Sequence, residues 1–256
     1  MTLDVACVDE RVDRRVDGVL VQAERGGEVG RPGVRIGVEM GEDVALRDGH
    51  RRGGMGTSVD LNAAEFKGIV ESLRRSAAAL REAEVRYCLA GSVASWARGG
   101  PETVNDLDLI VHPPHLEQAV GALEGCGMRK EVPPEGWLVK MWDGDVLVDL
   151  IHTVTGYESV EEILERSEVM RVASIDIPVA QMEDVLTPKL LAFDEHYLDF
   201  TGALRASRAL RERIDWDVLR EKTQHSPYAR GFFAMLEALE IIAGDDAPAP
   251  SPASHR

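Results

Sequence analysis

The chain has 256 residues, enough for one large domain or two small ones with a hydrophobic core. It carries 45 acidic and 29 basic residues, and a formal net charge of −16 weighs against a protein whose main task is to grip nucleic acid along its phosphates. The three cysteines (Cys7, Cys88 and Cys126) suggest neither a disulfide framework nor a metal site. No apolar run approaches the ~20 residues of a membrane span, and the N-terminus lacks the layout of a signal peptide. We therefore expect a soluble, cytoplasmic protein.

Residues 1–54 differ in composition from the rest of the chain. They contain no aromatic residue, no lysine and a single isoleucine, so they can bury little apolar surface. One interpretation is a low-order N-terminal extension. A second hypothesis is that translation begins at Met55, because purine-rich codons for Arg51-Arg52-Gly53-Gly54 would resemble a ribosome-binding site.

The central part, residues 55–181, has the pattern of a small mixed sheet with flanking helices. Apolar residues at helical spacing predict a helix that begins near Asp60 or Asn62. Further along we predict strands over 86–90 and 105–112 and helices over 93–98 and 114–126. Two β-hairpins should follow. The first pairs 137–142 with 146–151 and turns at Asp143-Gly144, and the second spans 169–180 and turns near Ser174.

The chain beyond residue 181 is predicted to be helical. The segments are 182–197, 201–213, 215–224 and 227–243, followed by a Pro- and Ala-rich tail, 244–256, that should be disordered. The fold class is therefore α/β in the broad sense, more specifically α+β, with a core over 55–181 and a helical C-terminal region over 182–243.

Two aspartates stand two residues apart at the start of a strongly apolar strand. Side chains at i and i+2 of a strand share one face, so Asp106 and Asp108 would project together with α-carbons about 6–7 Å apart. On an exposed edge strand the two acids would need no functional explanation. The apolar neighbours indicate a buried strand instead: Leu107, Leu109, Ile110 and Val111. Two buried carboxylates side by side are unfavourable unless a cation such as Mg²⁺ joins them, and Asp149 on a neighbouring strand would supply a third oxygen ligand.

The pair Gly91-Ser92 lies where the first strand runs into a helix. Glycine allows a phosphate to approach the backbone, the N–H groups at a helix start attract anions, and the Ser92 hydroxyl adds a donor. Gly-Ser pairs are also common in ordinary turns, so this feature is informative only together with the acids.

The whole pattern resembles the polymerase-β-like nucleotidyltransferase superfamily. Gly91-Ser92, thirteen intervening residues, Asp106-Leu107-Asp108 and the later Val148-Asp149-Leu150 match its signature of Gly-Ser, a spacer, Asp-hydrophobic-Asp and a third acid on a following strand. The likeness covers roughly residues 60–155. Trp96-Ala97-Arg98-Gly99 and, more loosely, the stretch 188–192 are similar to small bacterial members.

The resemblance implies an enzyme that moves a nucleoside monophosphate from an NTP such as ATP to an acceptor and releases pyrophosphate. It implies two Mg²⁺ ions, with Mn²⁺ as a substitute, held by Asp106, Asp108 and Asp149, the last of which also helps to activate the acceptor hydroxyl. Gly91 and Ser92 would hold the β- and γ-phosphates. Arg98 and Lys189 are candidate phosphate contacts, and the alternative for each is a surface or structural charge.

The sequence does not identify the acceptor. The leading expectation is a small hydroxyl compound; the alternatives are a toxin-like enzyme that modifies a protein or a tRNA end, or a non-catalytic nucleotide-binding module with a toxin–antitoxin partner. The acidic composition weighs against a nucleic acid.

Two other groups of residues invite a functional interpretation. His112, His115 and His152 lie near the acidic strands, but their spacing does not favour a zinc site. Arg205, Arg208 and Arg211 form a basic stripe on one helix, which is either a solvated face or an RNA or nucleotide contact.

Overall fold

The computed structural model describes residues 57–102, 106–134 and 136–243, and side chains from Glu65 onwards. The predicted N-terminal extension 1–54, with its hypothesis of a start at Met55, and the predicted tail 244–256 lie outside the described residues. None of the described helices is long and apolar enough to cross a membrane.

The described residues form eight α-helices and seven strands, together with two short 3₁₀ helices, Pro113–His115 and Arg211–Arg213. The helices are α1 (Thr57–Glu82), α2 (Gly91–Ala97), α3 (Leu116–Gly125), α4 (Glu161–Arg166), α5 (Met182–Leu191), α6 (Thr201–Leu210), α7 (Trp216–Thr223) and α8 (Pro227–Ala238). The strands are β1 (Tyr87–Leu89), β2 (Leu107–Val111), β3 (Arg129–Glu131), β4 (Leu138–Asp143), β5 (Val146–Ile151), β6 (Glu168–Val172) and β7 (Ile175–Val179).

All seven strands belong to one mixed sheet in the order β3-β4-β5-β2-β1-β7-β6. The pairs β2–β5 and β1–β7 are parallel, and the other four are antiparallel. The predicted α+β class with a small mixed sheet is confirmed.

The two faces of the central strands have different environments. Leu107, Leu109, Val148 and Leu150 point to one face, where they belong to a fully buried core shared with α1 and α3. The intervening residues point to the other face. There α4 covers the end of the sheet around Ile110, whereas Asp108 and Asp149 occupy the opposite end. Strand alternation therefore separates the packing residues from the acids.

Helices α5 to α8 bury a second cluster of their own. Its fully buried members include Met182, Leu190, Leu219 and Phe232, and Val185 packs against all three clusters of the molecule. The division of the chain at residue 182 remains a prediction.

Most of the predicted elements are present, with shifted ends. The strand predicted over 105–112 is shorter, because Asp106 precedes β2. The helix predicted over 182–197 ends at Leu191, since the Asp194 carboxylate accepts hydrogen bonds from the backbone of His196 and Tyr197 and turns the chain.

The two predicted hairpins are both formed. In the first, the turn residues are Gly144 and Asp145, one residue later than predicted, because Asp143 still pairs with Val146 and its carboxylate binds Ser72. In the second, Ala173 and Ser174 both have positive φ angles of 49° and 70°, the backbone of a tight hairpin turn.

Candidate functional site

Asp108 and Asp149 lie directly beside each other in the sheet. They are register partners in the parallel β2–β5 pair. Register partners share a face, and neighbouring strands are about 4.8 Å apart. Asp149 is 6% exposed and Asp108 is partly buried. The fold thus joins two acids that are 41 residues apart in sequence.

Gly91 lies against the Asp108 carboxylate. The residue opens α2 with a φ of +60°, and a Cβ atom added to it would fall 1.8 Å from Oδ2 of Asp108. The backbone N–H of Ala90 also donates to the Asp108 carbonyl at 2.9 Å. A side chain at residue 91 would displace the Asp108 carboxylate, so the sequence pattern Gly91-Ser92 and the acid strand form one local unit.

Asp106 lies just before β2 and is partly buried. Among the described residues, no group of three or more Asp, Glu, His or Cys side chains is arranged to hold a metal ion. The structure therefore places Asp108 and Asp149 side by side without a three-acid cage. Two carboxylates still fit Mg²⁺ or Mn²⁺ chemically, because Mg²⁺ is commonly bound by one or two carboxylates together with substrate phosphates.

Lys189 on α5 approaches Asp108 from the helical region. Burial lowers the pKa of its ammonium group, while the negative charges of Asp108 and Asp199 act in the opposite direction. Its Nζ atom lies close to Gly202, at 2.9 Å from where a Cβ atom on that glycine would stand. The lysine thus brings a positive charge from the C-terminal helices into the neighbourhood of β2.

Arg98 occupies a different position from the other candidates. It lies at the C-terminal end of α2 and is buried, where Nε and Nη2 donate to the carbonyls of Ala180 and Val179 at 2.7 and 3.0 Å. Nη1 contacts Glu168 at 3.3 Å. These contacts fasten α2 to the end of β7 and explain the burial of Arg98 without a phosphate.

Sequence reasoning missed Lys140, which lies in the same row of the sheet. It is the register partner of Asp149 in the β4–β5 hairpin, and it is only 4% exposed. A lysine in the middle of an apolar strand, within a hairpin whose other strand contains Asp149, was the available signal. Its register depended on a turn that was predicted one residue too early.

The histidines near the acidic strands take part in other contacts. Nε2 of His112 lies 3.0 Å from Glu161, and Nδ1 of His115 accepts from the backbone of Arg86 at 2.9 Å. Glu161 also pairs with the Arg86 guanidinium. Burial lowers the pKa of His152. The contacts of Glu161 with His112 and Arg86 fasten α4 to the end of β2 remote from Asp108.

The basic stripe on α6 borders an open cleft. Arg205 and Arg208 line it together with Gly99, Gly100 and Pro101, and its volume is about 470 Å³. Arg211 instead pairs with Glu212 at 3.1 Å. The cleft lies beside residues 99–101, which follow α2.

Comparison with known proteins gives remote similarities only. No protein-family model matches the chain, and no curated protein matches it in sequence. Among solved structures, 16 chains match.

The matching structures include three with TM-scores between 0.37 and 0.49. ANT(2'')-Ia in complex with adenylyl-2''-tobramycin matches with a TM-score of 0.49 and 16% identity over 64% of this chain and 98% of its own. The lincomycin-bound lincosamide antibiotic adenylyltransferase LnuA matches with 0.40 and 14% over 53% and 91%. An antigenic nucleotidyltransferase-like protein from Paracoccidioides brasiliensis matches with 0.37 and 14% over 69% and 89%. Because these likenesses are remote, the functional proposal rests on the residues of the site.

Proposed function

We propose that this protein is a nucleotidyltransferase that moves a nucleoside monophosphate from an NTP to an acceptor hydroxyl group. The observation that carries the proposal is the register pairing of Asp108 with Asp149, with the backbone of Gly91 closed against Asp108. Two adjacent carboxylates beside a glycine-opened helix match the chemistry of a metal-bound triphosphate.

The acids have separate roles in this proposal. Asp108 and Asp149, with Asp106 at the entrance to β2, would hold one or two Mg²⁺ or Mn²⁺ ions. The bound ions would neutralise charge on the phosphates. The acceptor oxygen attacks the α-phosphorus, the bond to the bridging oxygen of the β-phosphate breaks, and pyrophosphate leaves. Asp149 would take the proton of the acceptor hydroxyl group.

The remaining groups would bind the leaving pyrophosphate. Gly91 and Ser92 would offer backbone N–H groups and a hydroxyl to the β- and γ-phosphates. Lys189, which already lies near Asp108, would add positive charge. Arg98 is left out of this set because its guanidinium is held by β7 and Glu168.

For the acceptor, we propose a small hydroxyl compound. The net charge of −16 disfavours a polyanionic acceptor. A second candidate is a toxin-like enzyme acting on a tRNA end. That candidate is favoured by one observation, the cleft bordered by Arg205 and Arg208.

Label transfer tests the proposal. The purified protein would be incubated with Mg²⁺, each α-³²P-NTP and a cell lysate, which is then separated into small-molecule, RNA and protein fractions. We expect label in the small-molecule fraction. In D108N and in D149N the transfer activity should fall at least about 100-fold, because replacing even a residue that only hydrogen-bonds to a metal ligand lowers activity about 10–100-fold.

The matched control is D145N. Asp145 is an exposed acid in the turn of the same hairpin, so its loss should leave transfer unchanged. Label in RNA or protein would replace the small acceptor with a toxin-like one. Binding of Mg·NTP in calorimetry without any label transfer would instead indicate a non-catalytic module, such as one half of a toxin–antitoxin pair.

A further inference from the structure

Lys140 is a buried lysine in the middle of β4. Its neighbours Val139 and Met141 face the main core, so Lys140 faces the side of the sheet that carries the acids. Only 4% of its surface is exposed. A charged group is rarely buried to this extent unless an opposite charge compensates for the lost hydration.

The sheet register places Lys140 between two acids. Its register partners are Glu131 on β3 and Asp149 on β5. Asp108, on the next strand β2, is in turn the register partner of Asp149. Four adjacent strands therefore carry a row of charges: negative, positive, negative, negative. Strands about 4.8 Å apart bring the side chains of neighbouring members within reach of one another.

The surroundings of the two acids identify the one that depends on Lys140. The Glu131 side chain is 43% exposed and accepts a hydrogen bond from the Trp142 indole at 3.0 Å. Water and the indole therefore stabilise its charge. Asp149 is 6% exposed and has a second carboxylate, Asp108, on its other side. The compensating charge matters most at Asp149, because buried charges interact more strongly than solvated ones.

We propose that Lys140 is a positioning residue for Asp149. Its ammonium group offsets the repulsion between Asp149 and Asp108, and so keeps the Asp149 carboxylate in place beside its neighbour. The catalytic consequence rests on the proposed function, but the pairing of Lys140 with Asp149 does not.

A double-mutant cycle in metal-free buffer tests the pairing without nucleotide. Thermal unfolding in EDTA would be measured for the wild type, K140M, D149N and K140M/D149N. We expect K140M to lower the Tm by about 10 °C, since it leaves buried acids without compensation. The double variant should regain at least half of that loss.

The control is K140M/E131Q, which removes the other register partner. This double variant should regain little of the lost Tm, because Glu131 is solvated. The proposal is overturned if the Tm recovers in K140M/E131Q but not in K140M/D149N, or if it recovers in neither. If K140M does not fold, a folded K140M/D149N protein supports the pairing, and failure of both to fold overturns it.

Kinetics test the positioning role. In K140R, which keeps the charge, we expect a Tm close to that of the wild type and partial transfer activity. In K140Q we expect kcat to fall about 10–100-fold while the KM for the nucleotide changes less than about 3-fold. A K140Q enzyme with normal kcat overturns the positioning role. A wild type without transfer activity would overturn the proposed function and leave the stability cycle intact.

Discussion

Gly91 and Asp108 occupy one small volume from two different elements. The φ of +60° at residue 91 and the 1.8 Å approach of a hypothetical Cβ to Oδ2 of Asp108 impose two separate demands for glycine. One demand concerns the backbone, and the other concerns the position of a candidate metal ligand. A substitution at this residue should therefore change stability and activity together.

The substitution G91A should reduce both properties. An alanine at positive φ costs about 1–2 kcal/mol, and the Asp108 carboxylate must also move away from the new methyl group. Label transfer should fall at least about 10-fold, and chemical denaturation measures the loss of stability. The matched change is G121A in α3, where nothing lies within 4 Å of the added Cβ. That variant should gain about 0.4–1 kcal/mol and keep full activity.

Lys189 gives the stability of the protein a pH dependence. Burial lowers its folded-state pKa below the usual value of 10.5, so the unfolded chain binds the proton more tightly. The cost of burying the ammonium group is present below the folded pKa and disappears as the pH rises towards 10.5. K189M removes this cost, so it should melt above the wild type at pH 7.5. The difference in Tm should shrink as the pH rises to about 10.5, where a lysine loses its proton. The control is K67M, which changes an exposed lysine of α1.

Among the helices, α4 is short and depends on specific anchors. Its six residues are too few to be stable alone, and Glu161 fastens its start to Arg86 and His112 at the end of β1 and β2. The covered end of the sheet is therefore held by ion pairs as well as by the apolar contacts of Ile163. This arrangement leaves the other end, with Asp108 and Asp149, clear of α4.

E161Q should reveal this anchor through its pH dependence. The hydrogen bond from Arg86, with further attraction by the charges of Arg86 and His112, lowers the pKa of Glu161 below 4.5, although burial opposes the shift. Its stabilisation is therefore present above 4.5 and is lost as the pH falls through the lower folded-state value. We expect E161Q to melt below the wild type at pH 7 and to match it in acid. The control is E165Q, which changes an exposed glutamate of the same helix.

The success of sequence reasoning differed between elements for physical reasons. Strands β2 and β5 were predictable because long apolar runs surround their acids. Strand β3 was missed because it is a three-residue edge strand with charged side chains, and α4 because six residues show too little periodicity. The pairing of Asp108 with Asp149 was expected in outline, whereas Lys140 required the exact hairpin register, which local turn preferences placed one residue early.

Across the molecule, the apolar core isolates one thiol from solvent. Cys88 on β1 is fully buried, and burial raises its pKa to about 12, so it has neither access to reagents nor an appreciable thiolate population at neutral pH. Cys126, at the end of α3, is partly exposed. The two cysteines therefore report on different states of the fold.

A C7S protein offers a direct measurement of this difference. With Cys88 and Cys126 as its only thiols, it should react with one equivalent of a chromogenic disulfide reagent when native and with two in denaturant. Rapid reaction of the second thiol without denaturant would show that the sheet opens readily around β1.

The parallel pairing of β2 with β5 also determines when the site can exist during synthesis. Gly91 and Asp108 leave the ribosome early, and β2 can pair at once with β1. Its other neighbour, β5, follows only after α3, β3 and β4 have been made, because parallel strands need a long crossover. Lys189 follows a further forty residues after Asp149. A nascent or prematurely terminated chain that ends before β5 therefore contains Gly91 and Asp108 but neither Asp149 nor Lys189. Under the proposed function such a chain would be inactive, because the candidate site is complete only once synthesis has passed residue 189 of 256.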